Sequence, residues 1–188
     1  MDTQTPMEVP KSEFAPGSSV IYALHGKCHV LGTEFRSLGG KPICFYKLEL
    51  RKSTLSRSTR NEPAIWVPVA SAKDFGLRAP MTAAQADEAM KLLMNREYFF
   101  KPYDAWNVIQ PQLEATIRNE GGLGLAKVVS FLYVLKRKQV VATPEVVKLY
   151  DTVHKLLFRE LSEALQQPMK VLEEKVAKGM KTKLLPDT

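Results

Sequence analysis

The chain has 188 residues, of which 45% are hydrophobic and 25% are charged, as in an ordinary soluble protein of one or two domains. It contains no run of about 18 apolar residues, and residues 1–16 lack the basic and apolar regions of a secretion signal, so we expect a cytoplasmic protein that does not contact a membrane. The net charge of +7 favours an anionic partner, of which nucleic acid is the usual one.

The first 13 residues and the two cysteines allow two further predictions. Residues 1–13 are polar and contain two prolines, which predicts a disordered tail. Cys28 and Cys44 are the only cysteines. In a reducing compartment they are expected to be two buried thiols, with a disulfide between neighbouring strands as the alternative.

Residues 14–78 are predicted to form a small β domain. Three β-type runs are separated by turns that contain glycine, and a fourth run follows a polar loop. The predicted strands are Ser19–Leu24, Cys28–Phe35, Ile43–Leu50 and Ala64–Val69. Short strands joined by short turns favour a barrel of the SH3 or Tudor type over a sandwich.

The loop between the third and fourth predicted strands is rich in cations. It spans residues 51–63 and carries Arg51, Lys52, Arg57 and Arg60. One interpretation is a solvated hairpin tip. The other is a basic finger that reaches phosphate, because guanidinium groups pair with phosphate oxygens in a bidentate manner.

After a connector, Ala70–Pro80, the apolar period changes from 2 to 3.6 residues, which predicts helices. Thr82 and Gln85 have the spacing of a capping box. Further helices are predicted after Asp104, as the N-cap, to Gly121-Gly122, over Leu125–Lys138, from Thr143-Pro144 to Pro168, and over about Met169–Lys178 with its end at Gly179. The predicted fold is therefore α+β with two domains: the barrel, then an all-α helical bundle over residues 79–168, with a C-terminal helix and tail over residues 169–188.

The sequence offers little for catalysis. His25 and His29 flank Cys28, but a fourth ligand at a recognised zinc spacing is missing, so we expect no metal. Gly121-Gly122-Leu123-Gly124 follows a predicted helix, whereas a dinucleotide fingerprint follows a strand. We therefore predict no enzyme activity, no cofactor and no small-molecule substrate.

Trp106, followed by Asn107, stands at the start of a predicted helix just after an aromatic and proline-containing stretch. A tryptophan in such a place is often a core anchor. The alternative is an exposed indole that stacks on or wedges beside a nucleobase. Both interpretations remain open from the residues alone.

Several segments, in order, resemble the bacterial CarD/CdnL transcription regulators. In the first half these are Phe14–Tyr22, His25-Gly26, Phe45-Tyr46-x-Leu48, Val67–Val69 and Gly76–Arg78. In the second half Trp106-Asn107, Val128–Lys136 and Leu156–Leu161 are similar to the family's helical domain. The resemblance covers about residues 14–165. A similar barrel occurs in the transcription-repair coupling factor, but the helical half favours CarD/CdnL.

The resemblance implies an accessory transcription regulator. Its barrel would dock on the RNA polymerase β subunit, and its helical domain would contact promoter DNA at the upstream edge of the transcription bubble and so influence open-complex stability. Arg36, Leu38 and Trp66 match the family's polymerase-contact positions. The expected DNA contacts are Trp106 and Asn107, with charge from Arg51, Lys52, Arg57, Arg60, Lys136, Arg137 and Lys138. We expect a monomer with these two partners.

The chain departs from the family pattern after the tryptophan. The family has basic residues there, whereas this sequence has Val108, Ile109 and Pro111, which should weaken phosphate contacts. Pro111 is expected either to kink the helix or to move its start towards Gln110. The competing hypothesis is a protein-interaction module that does not touch DNA and uses Val108, Ile109 and Pro111 as an apolar contact surface.

Overall fold

The computed structural model describes residues 12–50, 64–94, 99–101, 105–138 and 143–180. The chain divides into two compact units, Met1–Ala79 and Pro80–Thr188. The first holds an antiparallel sheet and the second holds four helices, so the fold is mixed α+β. Within the described ranges, no helix is long and apolar enough to cross a membrane.

The first unit contains five strands in the order β4-β3-β2-β1-β5. They are β1 (Ser19–Tyr22), β2 (Gly26–Leu38), β3 (Lys41–Leu50), β4 (Ile65–Pro68) and β5 (Leu77–Arg78). The meander was predicted, but β5 was missed inside the expected connector. Among the described strands β4 and β5 are the two edges and do not pair with each other, so the sheet is open and not the closed barrel that the sequence predicted.

The β2–β3 hairpin is longer than predicted. Its pairing continues to Leu38 and Lys41, which leaves a two-residue turn, Gly39-Gly40, with φ of 58° and 78°. Positive φ at both positions gives the turn a twist that matches the strands. The register shifts between Val30 and Gly32, and such a bulge bends the hairpin.

One face of this sheet is the core of the first unit. Val20, Val30, Tyr46, Leu48 and Val67 are each at most 1% exposed. Cys28 and Cys44 are buried free thiols, as predicted. Burial raises the pKa of Cys28 to about 11, so that thiol is protonated near neutral pH.

The phenol of Tyr46 connects the start of the described chain to the sheet by hydrogen bonds. Its oxygen accepts hydrogen bonds from the backbone N–H of Glu13 at 2.9 Å and of Phe14 at 3.3 Å. The Phe14 ring lies 5.8 Å from the Tyr46 ring. A buried hydroxyl needs such partners, because leaving it unpaired costs about 1–3 kcal/mol.

The second unit contains α1 (Ala83–Met94), α2 (Trp106–Lys138), α3 (Pro144–Leu165) and α4 (Met169–Met180). The predicted break at Gly121-Gly122 is present, because Gly121 interrupts α2 with φ 60° and ψ −124°. The chain folds back there: a Cβ added at Gly124 would lie 2.3 Å from the carbonyl oxygen of Thr116. Glycine is therefore required for this close approach.

Some of the helix ends were predicted correctly from the sequence. Thr82 and Gln85 form the predicted reciprocal capping box, with N–H···O distances of 3.0 and 3.3 Å. Pro144 opens α3 as predicted, but the Thr143 side chain makes no capping bond to the helix. Its hydroxyl bonds the Glu145 carboxylate instead and lowers the pKa of Glu145. The last helix was predicted over about Met169–Lys178; α4 covers Met169–Met180, so it begins as predicted and includes Gly179.

The helices pack through large apolar side chains. Leu93, Leu113, Leu132, Leu157 and Leu172, drawn from all four helices, are at most 1% exposed. One buried carboxylate is part of this packing: Glu160 is 6% exposed, and its Oε1 accepts a hydrogen bond from the backbone N–H of Met81 at 2.8 Å. Glu160 thus joins α3 to the segment that leads into α1.

Candidate functional site

The face of the sheet opposite the core carries the candidate site of the first unit. Strand register decides which side chains share it, because successive residues point to opposite faces. Arg36 pairs with Ile43, and Lys47 pairs with Trp66. The neighbouring pair, Tyr46 and Val67, faces the core. The pair Lys47 and Trp66 therefore faces the other way, as does Arg36, and we define the outer face by Arg36, Lys47 and Trp66.

The main contact on the outer face joins Arg36 and Trp66. The Arg36 guanidinium carbon lies 3.7 Å from the centroid of the indole, and the Lys47 ammonium lies 5.4 Å from it. A cation over an aromatic face is attracted by the ring quadrupole, by about 0.5–1 kcal/mol at an exposed site. The indole therefore holds the guanidinium against the sheet.

This arrangement leaves Arg36 accessible. Its Nε lies 3.7 Å from Glu34 Oε1, and both side chains are about half exposed, at 48% and 51%. Ion pairs this exposed contribute little to stability. Water and partner groups can still reach the charge.

Leu38, the third predicted polymerase-contact residue, lies two positions beyond Arg36 at the end of β2. Strand alternation places its side chain on the outer face, and it is 63% exposed. The structure thus brings Arg36 and Trp66 into contact, and it leaves Leu38 as an uncovered apolar side chain at the hairpin end. Single apolar residues on a surface are common, so Leu38 gains meaning only from its place beside this pair.

The edge strand β4 adds backbone groups to the same region. It is four residues long, ends at Pro68 and pairs with β3 on one side. Among the described strands nothing pairs with its other side. A free strand edge can accept an added strand from a partner through main-chain hydrogen bonds, although proline limits how far such pairing extends.

In the second unit, Trp106 is the first residue of α2 and is half-buried, while Asn107 beside it is exposed. The expectation that Pro111 moves the helix start towards Gln110 was wrong, because α2 begins at Trp106 and contains Pro111. The missing N–H of Pro111 leaves the Asn107 carbonyl without its helical donor. Since Asn107 is exposed, water can hydrate that carbonyl.

The residues after the tryptophan separate into two groups. Val108 is 49% exposed, whereas Ile109 is 2% exposed. Ile109 is therefore part of the core and cannot belong to an apolar contact surface, which corrects the competing hypothesis at that position. Val108 and Pro111 remain exposed.

The basic residues expected near DNA are only partly described. Arg51, Lys52, Arg57 and Arg60 lie outside the described residues, and the side chains of Arg137 and Lys138 do as well. Lys136 is already engaged: its Nζ lies 3.2 Å from Asp151 Oδ1 and 4.7 Å from the centroid of the Tyr150 ring. A phosphate would have to compete with that carboxylate.

Lys136 belongs to a cluster that the sequence did not reveal. His154 packs between Tyr150 and Phe158, with ring centroids 5.4 and 4.4 Å away. Burial lowers the pKa of His154, although Glu173, whose Oε1 lies 3.9 Å from Nδ1, and Asp151 oppose the shift. Burial also raises the pKa of Tyr150 to about 12.

The histidines near Cys28 have structural neighbours. The His25 ring stacks on Tyr22 at 4.8 Å, and His29 Nδ1 lies 3.5 Å from Ser19 Oγ. Over the ranges for which side chains are described, no cluster of three metal-ligating residues occurs.

The resemblance matched Arg36 and Trp66 separately to polymerase-contact positions. The sequence did not predict the contact between these two residues or that Lys47 also lies near the Trp66 ring. A signal was available in the alternation of β3 and β4, which places Lys47 and Trp66 on the same face once the register is known. No protein-family model matches the chain, and no curated protein matches it.

Proposed function

We propose that this protein is an accessory transcription regulator. Its sheet unit binds the β subunit of RNA polymerase, and its helical unit contacts promoter DNA at the upstream edge of the transcription bubble, which changes the lifetime of the open complex. The observation that carries the proposal is the contact between Arg36 and Trp66, at 3.7 Å, since the resemblance to CarD/CdnL implies polymerase contact for both residues.

Within this proposal the sheet is an SH3/Tudor-like domain. Its strand order, β4-β3-β2-β1-β5, is that of a meander whose fifth strand returns to the free edge of the first. Over the described strands the sheet is open, and the bulge between Val30 and Gly32 bends its long hairpin, which gives an SH3/Tudor-like sheet whose edges do not close.

The outer face suits a protein partner. Arginine and tryptophan are enriched among residues that dominate binding energy at interfaces. Because the indole already holds the guanidinium, less side-chain entropy is lost when a partner carboxylate or carbonyl binds Arg36. Strand addition at β4 would supply affinity, while Arg36 and Leu38 would supply specificity.

Co-purification with the polymerase β subunit tests the docking step. Arg36→Glu removes the cation above the indole and repels an acidic partner, so we expect binding to fall by at least about tenfold, as for loss of a central interface arginine. Lys91→Glu makes the same charge change at an exposed position of α1, in the other unit, and this variant should bind normally. Equal recovery of both variants would refute docking through the outer face.

The DNA step is tested separately. Trp106→Ala should leave β-subunit binding intact and shorten or lengthen the open-complex lifetime, because base stacking on an aromatic ring contributes about 1–3 kcal/mol. Val171→Ala trims an exposed apolar residue, 41% accessible on α4, and is the control. A lifetime identical in wild type and both variants would remove Trp106 from the DNA contact.

A second candidate function is an interaction module that binds polymerase or another protein without touching DNA. It is favoured by the exposure of Val108, at 49%, and by the engagement of Lys136 with Asp151 at 3.2 Å. Promoter-complex affinity measured against salt concentration distinguishes the two candidates. A slope that is unchanged by Lys136→Ala supports the interaction module, and a slope reduced by about one supports the DNA contact.

A further inference from the structure

The break inside α2 divides this helix into two parts that are held in different ways. Residues 122–138 are buried on several sides, because three buried residues of this part point in directions about 100–140° apart around the helix. They are Leu125, Ala126 and Phe131. Residues 106–120, which begin with Trp106, are buried along one side, through Ile109, Leu113 and Ile117. The first part can therefore change its direction more easily than the second.

The backbone at the break does not fix the angle between the two parts by itself. Gly121 has φ 60° and ψ −124°, a conformation that is open to glycine. Glycine adopts helical angles nearly as readily, so the local chain allows both a broken and a continuous helix. Contacts from elsewhere in the helical unit must select the broken form.

Met81 supplies one of these contacts. A Cβ added at Gly122 would overlap the Met81 side chain, with Cγ 2.5 Å away. The methionine side chain thus lies directly against the backbone of the break, in the space that the missing Cβ leaves. Met81 is 7% exposed, so it is enclosed there.

Glu160 holds Met81 in this position. Its Oε1 accepts a hydrogen bond from the Met81 N–H at 2.8 Å, and the residue is 6% exposed. A hydrogen bond to a carboxylate is stronger than one between neutral groups. The main chain of Met81 is therefore bound to α3, while its side chain packs on α2.

We propose that Glu160 and Met81 are positioning residues for Trp106. The carboxylate holds Met81 against the break, and the break sets the direction of residues 106–120. Trp106 lies about 15 residues, or about 22 Å, from Gly121, so a rotation of about 10° at the break moves the indole by about 4 Å. Since stacked rings lie about 4.5–7 Å apart, such a movement removes a stacking contact. The consequence for DNA rests on the proposed function, whereas the angle in α2 does not.

Residual dipolar couplings of the backbone N–H groups in both parts of α2 measure the angle between them in the full chain. Glu160→Met keeps the side-chain length and removes the oxygen that accepts the Met81 N–H. Met81→Ala keeps the N–H donor and removes the side chain from the break. We expect both variants to change the angle by about 10° or more. Val176→Ala removes buried methyl groups from α4; it controls for lost stability and should keep the wild-type angle.

A conservative variant separates positioning from folding. Glu160→Gln retains an oxygen that accepts the Met81 N–H, so we expect the wild-type angle and the wild-type open-complex lifetime. Glu160→Met should bind the polymerase β subunit normally. It should change the open-complex lifetime by at least about threefold, in the same direction as Trp106→Ala.

The proposal is overturned if Glu160→Met or Met81→Ala retains the wild-type angle. It is also overturned if Val176→Ala or Glu160→Gln changes the angle as much as Glu160→Met does. A changed angle with an unchanged open-complex lifetime would support the anchoring of the break and refute the DNA contact of Trp106, so a failure of the proposed function is distinguished from a failure of this inference.

Discussion

Gly124→Ala places two physical effects in opposition. In an unobstructed helix, alanine is more favourable than glycine by about 1 kcal/mol. Here the added Cβ would lie 2.3 Å from the Thr116 carbonyl oxygen and 2.9 Å from the Thr116 carbonyl carbon. Both atoms are backbone, so no side chain can move aside to make room.

The displacement needed to fit the added Cβ decides whether Gly124→Ala stabilises or destabilises the protein. The contact is 0.7 Å shorter than 3.0 Å, the distance below which real Cβ atoms essentially never lie. Because the backbone of α2 itself must move, we expect a cost near the upper end of ordinary overpacking, about 2–3 kcal/mol. We expect a net loss of about 1–2 kcal/mol in the free energy of unfolding after the gain in helix propensity.

Urea denaturation followed by circular dichroism measures this loss as a lower midpoint at unchanged slope. Gly179→Ala is the matched comparison, because the Cβ there would lie 3.0 Å from Met94 Cγ and 3.2 Å from Met94 Cβ, which is a milder contact than the one at Gly124. We expect that variant to lose less stability than Gly124→Ala. If Gly124→Ala were stabilising, the close approach of the two halves of α2 at Thr116 would be refuted.

Two further predictions concern single side chains. Tyr46→Phe removes the oxygen that accepts hydrogen bonds from the Glu13 and Phe14 N–H groups. We expect the free energy of unfolding to fall by about 1–2 kcal/mol and amide exchange to become faster at both residues. An effect no larger than that of Tyr22→Phe would argue against these hydrogen bonds. The lowered pKa of His154 means that the unfolded chain binds a proton more readily, so the free energy of unfolding should fall as pH falls below about 6.5. His154→Phe should flatten this dependence, and a variant as pH-sensitive as wild type would exclude His154 as its cause.

The elements that the sequence predicted well are those with local signals. The capping box at Thr82, the break at Gly121 and the start of α3 at Pro144 each depend on residues within one turn. Their chemistry is fixed by backbone hydrogen bonding and by φ, which tertiary contacts change little.

The features that were missed depend on distant partners. Strand β5 has two residues, Leu77 and Arg78, too few to show a period, and it forms because β1 offers a free edge. Glu160 binds the backbone of Met81, 79 positions away. Its spacing on α3 could not distinguish it from a surface glutamate.

The candidate site shows the same division. From the sequence, Arg36 and Trp66 were predicted as two separate contact residues. Their contact with each other depends on the register of three strands and on a bulge. A shift of one residue would have put Arg36 on the core face, where burying a charge is costly. The outer-face pair is therefore a consequence of the hairpin twist and turn, which no short motif encodes.

The helical unit carries cations on two surfaces, at the end of α2 and along α3. The proposed DNA contact uses Trp106, with compensating charge from residues such as Lys136 at the end of α2, yet Lys136 is bound to Asp151, and Val108 next to the tryptophan is apolar. Exposed cations instead lie along α3, at Lys148, Lys155 and Arg159, positions the resemblance does not assign. Because phosphate contacts give the steepest salt dependence, an anionic partner that uses the helical unit should depend more on α3 than on Lys136. Charge reversal on α3, compared with Lys136→Ala at several salt concentrations, shows which of these two surfaces a partner uses.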